Sequence, residues 1–136
     1  MTKIVVDTGP IVAFLNSRDS YHDWAQQLFE SLEPPLYSCE SVISEATFLL
    51  GNLRGGSKAV LELLSRKLIV LDFNLSSEHQ SVQKLMVKYS NIPMSLADAC
   101  LVRMSELEKE SQIITLDQDF NVYRRLGRQI IPVVMP

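Results

Sequence analysis

An α/β sandwich around a parallel sheet is the fold class this sequence predicts. Two observations carry it. Apolar, β-branched runs stand at 3–6 (KIVV), 68–73 (LIVLDF), 112–116 (QIITL) and 129–134 (QIIPVV), with a short run at 36–38 (LYS). They are nearly continuous rather than alternating, the pattern of strands covered on both faces. Segments of helical period separate them, and that order of elements implies parallel pairing.

The expected elements follow in chain order. Strand 3–6 is succeeded by a short helix starting at Pro10 and by helices over 21–32, 41–50, 58–66, 76–89 and 96–110. Pro34-Pro35 separates a helix from the short strand 36–38, while Gly55-Gly56 and the NIP at 91–93 break helical runs. There is no internal repeat, low-complexity segment or interdomain linker. One domain over residues 1–136 is expected, a length that lets a single core bury about two-thirds of the unfolded surface.

Stability alone does not explain the acidic residues. Asp7 and Asp117 each follow an apolar run, and in open parallel sheets ligands bind beyond the carboxyl ends of the strands. Glu45 is a charge inside SVISEATFLL, a segment whose apolar residues predict burial, where an unpaired carboxylate costs several kcal/mol. Asp98 is the only charge between Met94 and Val102. Each also has a purely structural use. Asp7 or Thr8 can cap the short helix, and Ser95 and Asp98 have capping-box spacing. Glu45 can pair with an arginine, and Asp117 or Asp119 can nucleate an Asx-turn.

Taken together, carboxylates without neighbouring Cys or His form the hard-oxygen environment that Mg²⁺ or Mn²⁺ prefers. Such ions keep carboxylates ionised and support phosphodiester hydrolysis without a catalytic His or Lys. Cys39 and Cys100 lie far apart in sequence with no CxxC, and His22 and His79 are isolated, which argues against zinc. The cysteines are expected to stay reduced and to pack as small hydrophobes.

Thirteen Lys and Arg against 16 Asp and Glu give a net charge of −3, on its face a poor match to nucleic acid. Setting Asp7, Glu45, Asp98 and Asp117 aside leaves +1 for the rest of the chain, and two divalent ions offset those four. Arg54, Lys58, Arg66, Lys67, Arg124, Arg125 and Arg128 are then candidates for phosphate contacts, with Arg54, Lys58, Arg124 and Arg125 forming the candidate RNA-binding set. No apolar run reaches the roughly 18 residues of a membrane span, and the N-terminus lacks the pattern of a secretion signal, so a cytoplasmic protein is expected.

VVDTGPIVAFL, SEATFLL, MSLADACLV and IITLDQDF resemble, in order and spacing, the acidic motifs of the PIN domain, and most of all the VapC-type toxins of prokaryotic toxin–antitoxin pairs. YHDWA at 21–25 is similar to a second-helix signature common in these proteins. The resemblance spans essentially the whole chain. It implies a three-layer α/β/α sandwich with a five-stranded parallel sheet in the order 3-2-1-4-5, which makes the strands ending at Asp7 and Asp117 neighbours. It implies a Mg²⁺- or Mn²⁺-dependent ribonuclease with Asp7, Glu45, Asp98 and Asp117 as metal-holding and catalytic positions. Thr8 and Thr115 match supporting hydroxyl positions, and Asp119 shares the last motif with Asp117. A homodimer and a small antitoxin partner are implied as well.

The competing expectation keeps the fold and loses the chemistry, leaving a module that binds RNA or protein without cutting it. Two other α/β enzymes fit poorly. An aspartyl-phosphate phosphatase of the haloacid dehalogenase kind wants a second Asp where Gly9 stands, and DTGPIV cannot supply the GxGxxG of a dinucleotide site.

Overall fold

The computed structural model describes residues 1–136. Lys3–Val6 forms β1, Leu36–Ser38 β2, Ile69–Leu71 β3 and Ser111–Ile114 β4. Two short strands, β5 (Arg124–Arg125) and β6 (Gln129–Ile130), precede β7 (Val133–Val134). The main sheet is parallel and runs β3-β2-β1-β4-β7, so β7 holds the place expected for a fifth strand. Val5 faces Tyr37 on one side and Ile113 on the other, at the centre of the sheet. Val5, Val6, Ile113 and Ile114 are fully buried, as continuous apolar runs require.

Six helices complete the fold: α1 (Thr8–Leu15), α2 (His22–Ser31), α3 (Glu40–Leu49), α4 (Gly56–Ser65), α5 (Leu75–Lys88) and α6 (Leu96–Leu107). α1 begins two residues before Pro10, with Asp7 as its N-cap. Proline is tolerated there because the first-turn N–H groups have no intrahelical partner. His22 Nδ1 lies 2.8 Å from the Ala13 carbonyl oxygen and ties α2 to α1. α6 stops at Leu107, short of the expected residue 110, because Ser111 already enters β4.

The run 129–134 is not one strand. Leu126 (φ 50°) and Gly127 (φ 85°) turn the chain so that β6 pairs antiparallel with β5. Arg125 pairs with Gln129, so Leu126, Gly127 and Arg128 form a three-residue hairpin loop in which the first two take positive φ. Pro132, lacking an N–H, follows the hairpin, and its carbonyl accepts from the Ile113 N–H where the chain rejoins the sheet.

Arg125 also departs from expectation. It is 7% exposed, with its guanidinium donating to the carbonyls of Ser105 (3.1 Å) and Lys109 (3.0 Å) at the end of α6. A guanidinium committed to buried carbonyls has no face left for a phosphate, so Arg125 anchors the hairpin instead of binding RNA. Arg124 spends one guanidinium nitrogen on the carbonyls of Asn121, Val122 and Tyr123 and remains half-buried.

Gly56 opens α4 against the end of α3. A Cβ there would stand 2.1 Å from the Leu50 carbonyl oxygen, whereas at Gly55 (φ 72°) it would meet nothing within 4 Å. Gly56→Ala is therefore expected to cost about 3 kcal/mol, the upper range for overpacking, and Gly55→Ala about 1 kcal/mol for its left-handed backbone. Urea midpoints of the two variants check the difference, and equal losses would contradict the close approach.

Candidate active site

Four separate segments bring the acidic residues to one place. The cavity lies at the carboxyl ends of β1 and β4, has a volume of about 290 Å³, and is lined by Asp7, Thr8, Gly9, Glu45, Leu49, Asp98, Leu116 and Asp117. Asp7 reaches it because its N–H still donates to the Ile114 carbonyl (2.9 Å), extending the β1–β4 ladder by one residue before α1 begins. Asp98 reaches it from the first turn of α6, where Ser95 and Asp98 form a reciprocal capping box. Asp117 follows β4 and caps the 3-10 turn Gln118–Asn121 by accepting from the Asp119 N–H at 2.9 Å. The structural uses of these acids and their shared cavity therefore coexist in the same side chains.

Hydrogen bonds fix the carboxylates. Asp7 Oδ1 accepts from the Thr8 N–H (2.7 Å) and Oδ2 from the Thr115 hydroxyl (2.7 Å). The Thr115 hydroxyl oxygen in turn accepts from the Asp117 N–H (2.9 Å), so one threonine couples the two strand-end aspartates. The Thr8 hydroxyl donates to Glu45 Oε2 at 3.0 Å. Asp98 Oδ2 accepts from the Tyr123 hydroxyl (3.1 Å) and the Ser95 N–H (3.3 Å). Asp119 is absent from the cavity wall and contributes its N–H to Asp117.

The carboxylates are uncomfortable together. Burial pushes Asp7 up to about 6; the bonds from Thr115 and Thr8 oppose this, while the nearby charges of Asp98 and Asp117 add to it. Burial likewise raises Asp98, against the bonds from Ser95 and Tyr123 and with Asp117 adding. Tyr123 is held far above the usual phenol range, first by burial and then by Asp98, and stays a neutral donor. The donor set is all hard oxygen, which fits Mg²⁺ or Mn²⁺, and a cation would relieve this repulsion. As arranged, however, no group of three acidic side chains converges on one ion position.

The model of the PIN domain matches residues 4–126. The chain belongs to the PIN domain family. Three solved structures share its fold. VapC20 of Mycobacterium tuberculosis, a sarcin–ricin-loop-cleaving toxin, is 22% identical with a TM-score of 0.73, over 88% of this chain and 94% of that one. VapBC2 of Rickettsia felis, bound to a DNA fragment from their promoter, is 13% identical with a TM-score of 0.64, over 99% of both chains. FitAcB of Neisseria gonorrhoeae is 18% identical with a TM-score of 0.55, over 85% of this chain and 88% of that one. No curated protein matches the sequence.

Within this PIN domain Glu45 is exposed, contrary to the burial its apolar neighbours predict. α3 buries a stripe of Val42, Ile43 and Ala46, while Phe48 and Leu49 are 83% and 55% exposed. Glu45 thus reaches the cavity from the solvent side. Arg54 and Lys58 are exposed at the start of α4, with Lys58 3.9 Å from Glu62. Tyr123 is the contact sequence reasoning missed. Its ring packs edge-on against Tyr89 and Phe120, centroids 5.1 and 5.2 Å away, and in sequence it looks like any core aromatic.

Proposed function

We propose that residues 1–136 act as a single PIN domain that hydrolyses RNA phosphodiester bonds with Mg²⁺ or Mn²⁺, in the cytoplasm, as the toxin of a toxin–antitoxin pair. The observation that carries the reading is the meeting of Asp7, Glu45, Asp98 and Asp117, from four segments, around one cavity at the sheet rim. VapC20, which cleaves the sarcin–ricin loop, supports RNA as the substrate class, and the toxin–antitoxin complexes among the similar structures support an antitoxin partner. A homodimer is part of the same proposal.

Asp7, Glu45, Asp98 and Asp117 would hold the divalent cation. When bound, such a cation supplies Lewis-acid charge that favours water as nucleophile and offsets charge on the phosphate. The chain's own part is placement. Thr115 holds Asp7, Thr8 holds Glu45, and Tyr123 with Ser95 holds Asp98, so each acid is anchored at the cavity wall, and a bound cation would draw them together. Arg54 and Lys58, exposed, and Arg124, half-exposed, are the proposed phosphate contacts.

Tyr123→Phe keeps the ring packing and removes the donor to Asp98. It is expected to weaken Mn²⁺ binding about 10-fold, the lower range for losing a partner of a metal ligand. Calorimetric titration of Mn²⁺ reads this directly, and unchanged affinity would reduce Tyr123 to a packing role.

The second reading, a PIN module that binds without cutting, is favoured by the lack of three acids converging on one ion position. Incubation of a structured RNA pool with purified, antitoxin-free protein separates the two. Cleavage with Mn²⁺ or Mg²⁺ that EDTA stops supports the nuclease, and RNA binding without cleavage under either metal supports the module.

A further inference from the structure

The chain's two cysteines, 61 positions apart, meet in the fold. Cys39 ends the segment after β2 and stands at the N-cap of α3, while Cys100 lies within α6. Cys39 and Cys100 are 2% and 1% exposed, and each thiol is near enough to shift the other, Cys39 upward and Cys100 downward. They belong to the hydrophobic core, at its edge beside a cavity. Both line a cavity of about 480 Å³, separate from the acidic one, whose other walls include Ser41 of α3, Leu71 of β3 and Asn74 at the start of α5. The two thiols therefore combine proximity with an approach for a small reagent through the cavity that both line.

We propose that Cys39 and Cys100 form an oxidisable dithiol site that hydrogen peroxide converts to an intramolecular disulfide joining the start of α3 to α6. The chemistry balances in two steps. One thiol sulfur attacks a peroxide oxygen, the O–O bond breaks, and a sulfenic acid and one water form. The second thiol sulfur then attacks the sulfenic sulfur, forming the S–S bond and releasing the hydroxyl as a second water. Overall, two thiols lose two hydrogens and peroxide is reduced to two waters. Because the chain holds two cysteines, no other intramolecular partner competes. The bond would link the helix of Glu45 to that of Asp98, with Cys100 two positions past Asp98.

The test treats the reduced full-length chain with hydrogen peroxide and counts thiols by N-ethylmaleimide labelling after denaturation, with intact mass in parallel. The expected result is a monomer lighter by two hydrogens, with no labelled thiol and a non-reduced Cys39–Cys100 peptide pair. Dithiothreitol restores both labels. Cys39→Ser and Cys100→Ser, checked for folding by circular dichroism, are each expected to lose the species. Two labelled thiols after peroxide sufficient to oxidise glutathione completely would overturn the proposal. A disulfide found only between two chains would overturn it as well.

Discussion

Asp98→Asn is expected to lower metal-stimulated RNA cleavage by about 10²–10³-fold, the size of removing one preorganised electrostatic contact. The substitution keeps the shape of the side chain and its place in α6. Its amide oxygen can still accept from Tyr123 and Ser95, which now hold Asp98 Oδ2. What disappears is the charge, which the proposed chemistry uses and the fold does not. Burial and Asp117 already disfavour that charge, so the variant is expected to fold at least as well as the native chain without metal. Cleavage rates with Mn²⁺, set beside a urea titration of each protein, check the pairing. Full cleavage by a folded variant would remove Asp98 from the site.

The second large effect is on stability. Asp7 is 7% exposed and its carboxyl is raised to about 6 from an ordinary value of 3.8. A carboxyl with a raised folded pKa favours the folded state fully below its unfolded pKa and loses that contribution as pH climbs through the folded one. A shift of that size corresponds to about 3 kcal/mol. In EDTA the native chain is therefore expected to lose most of this, about 2 kcal/mol, between pH 4 and pH 7, because the unfolded carboxyl is already partly ionised at pH 4. Asp7→Asn should lack that component, and Mn²⁺ should return it to the native chain by neutralising the cluster. Denaturant midpoints of both proteins at the two pH values isolate the difference. Parallel pH profiles would show that Asp7 carries no such strain.

Much of this arrangement is legible in the residues. KIVV and QIIT announce buried central strands because nothing polar interrupts them, and the aspartates at their ends announce the rim. Ser95 and Asp98 show their capping box by spacing, since a cap is a local interaction. The features that escape are those set by distant contacts. Glu45 looks buried because helical apolar content does not say which face turns inward, and α3 leaves Phe48 and Leu49 outside. QIIPVV looks like one strand because its composition is uniform, yet the turn at Leu126 and Gly127 assigns its two halves to different sheets. Arg125 looks like a surface cation until the end of α6 is seen to present carbonyls to it. The Tyr123 contact with Asp98 and the meeting of Cys39 with Cys100 join positions that no local pattern connects.

The proposed ribonuclease activity depends on the carboxylates around one cavity. Its most direct test is cleavage of a structured RNA pool by purified, antitoxin-free native protein and by folded Asp7→Asn, each with Mn²⁺ and with EDTA. Cleavage is expected from the native protein with Mn²⁺ alone and from none of the other three reactions. Equal cleavage by Asp7→Asn, or cleavage that persists in EDTA, would contradict it.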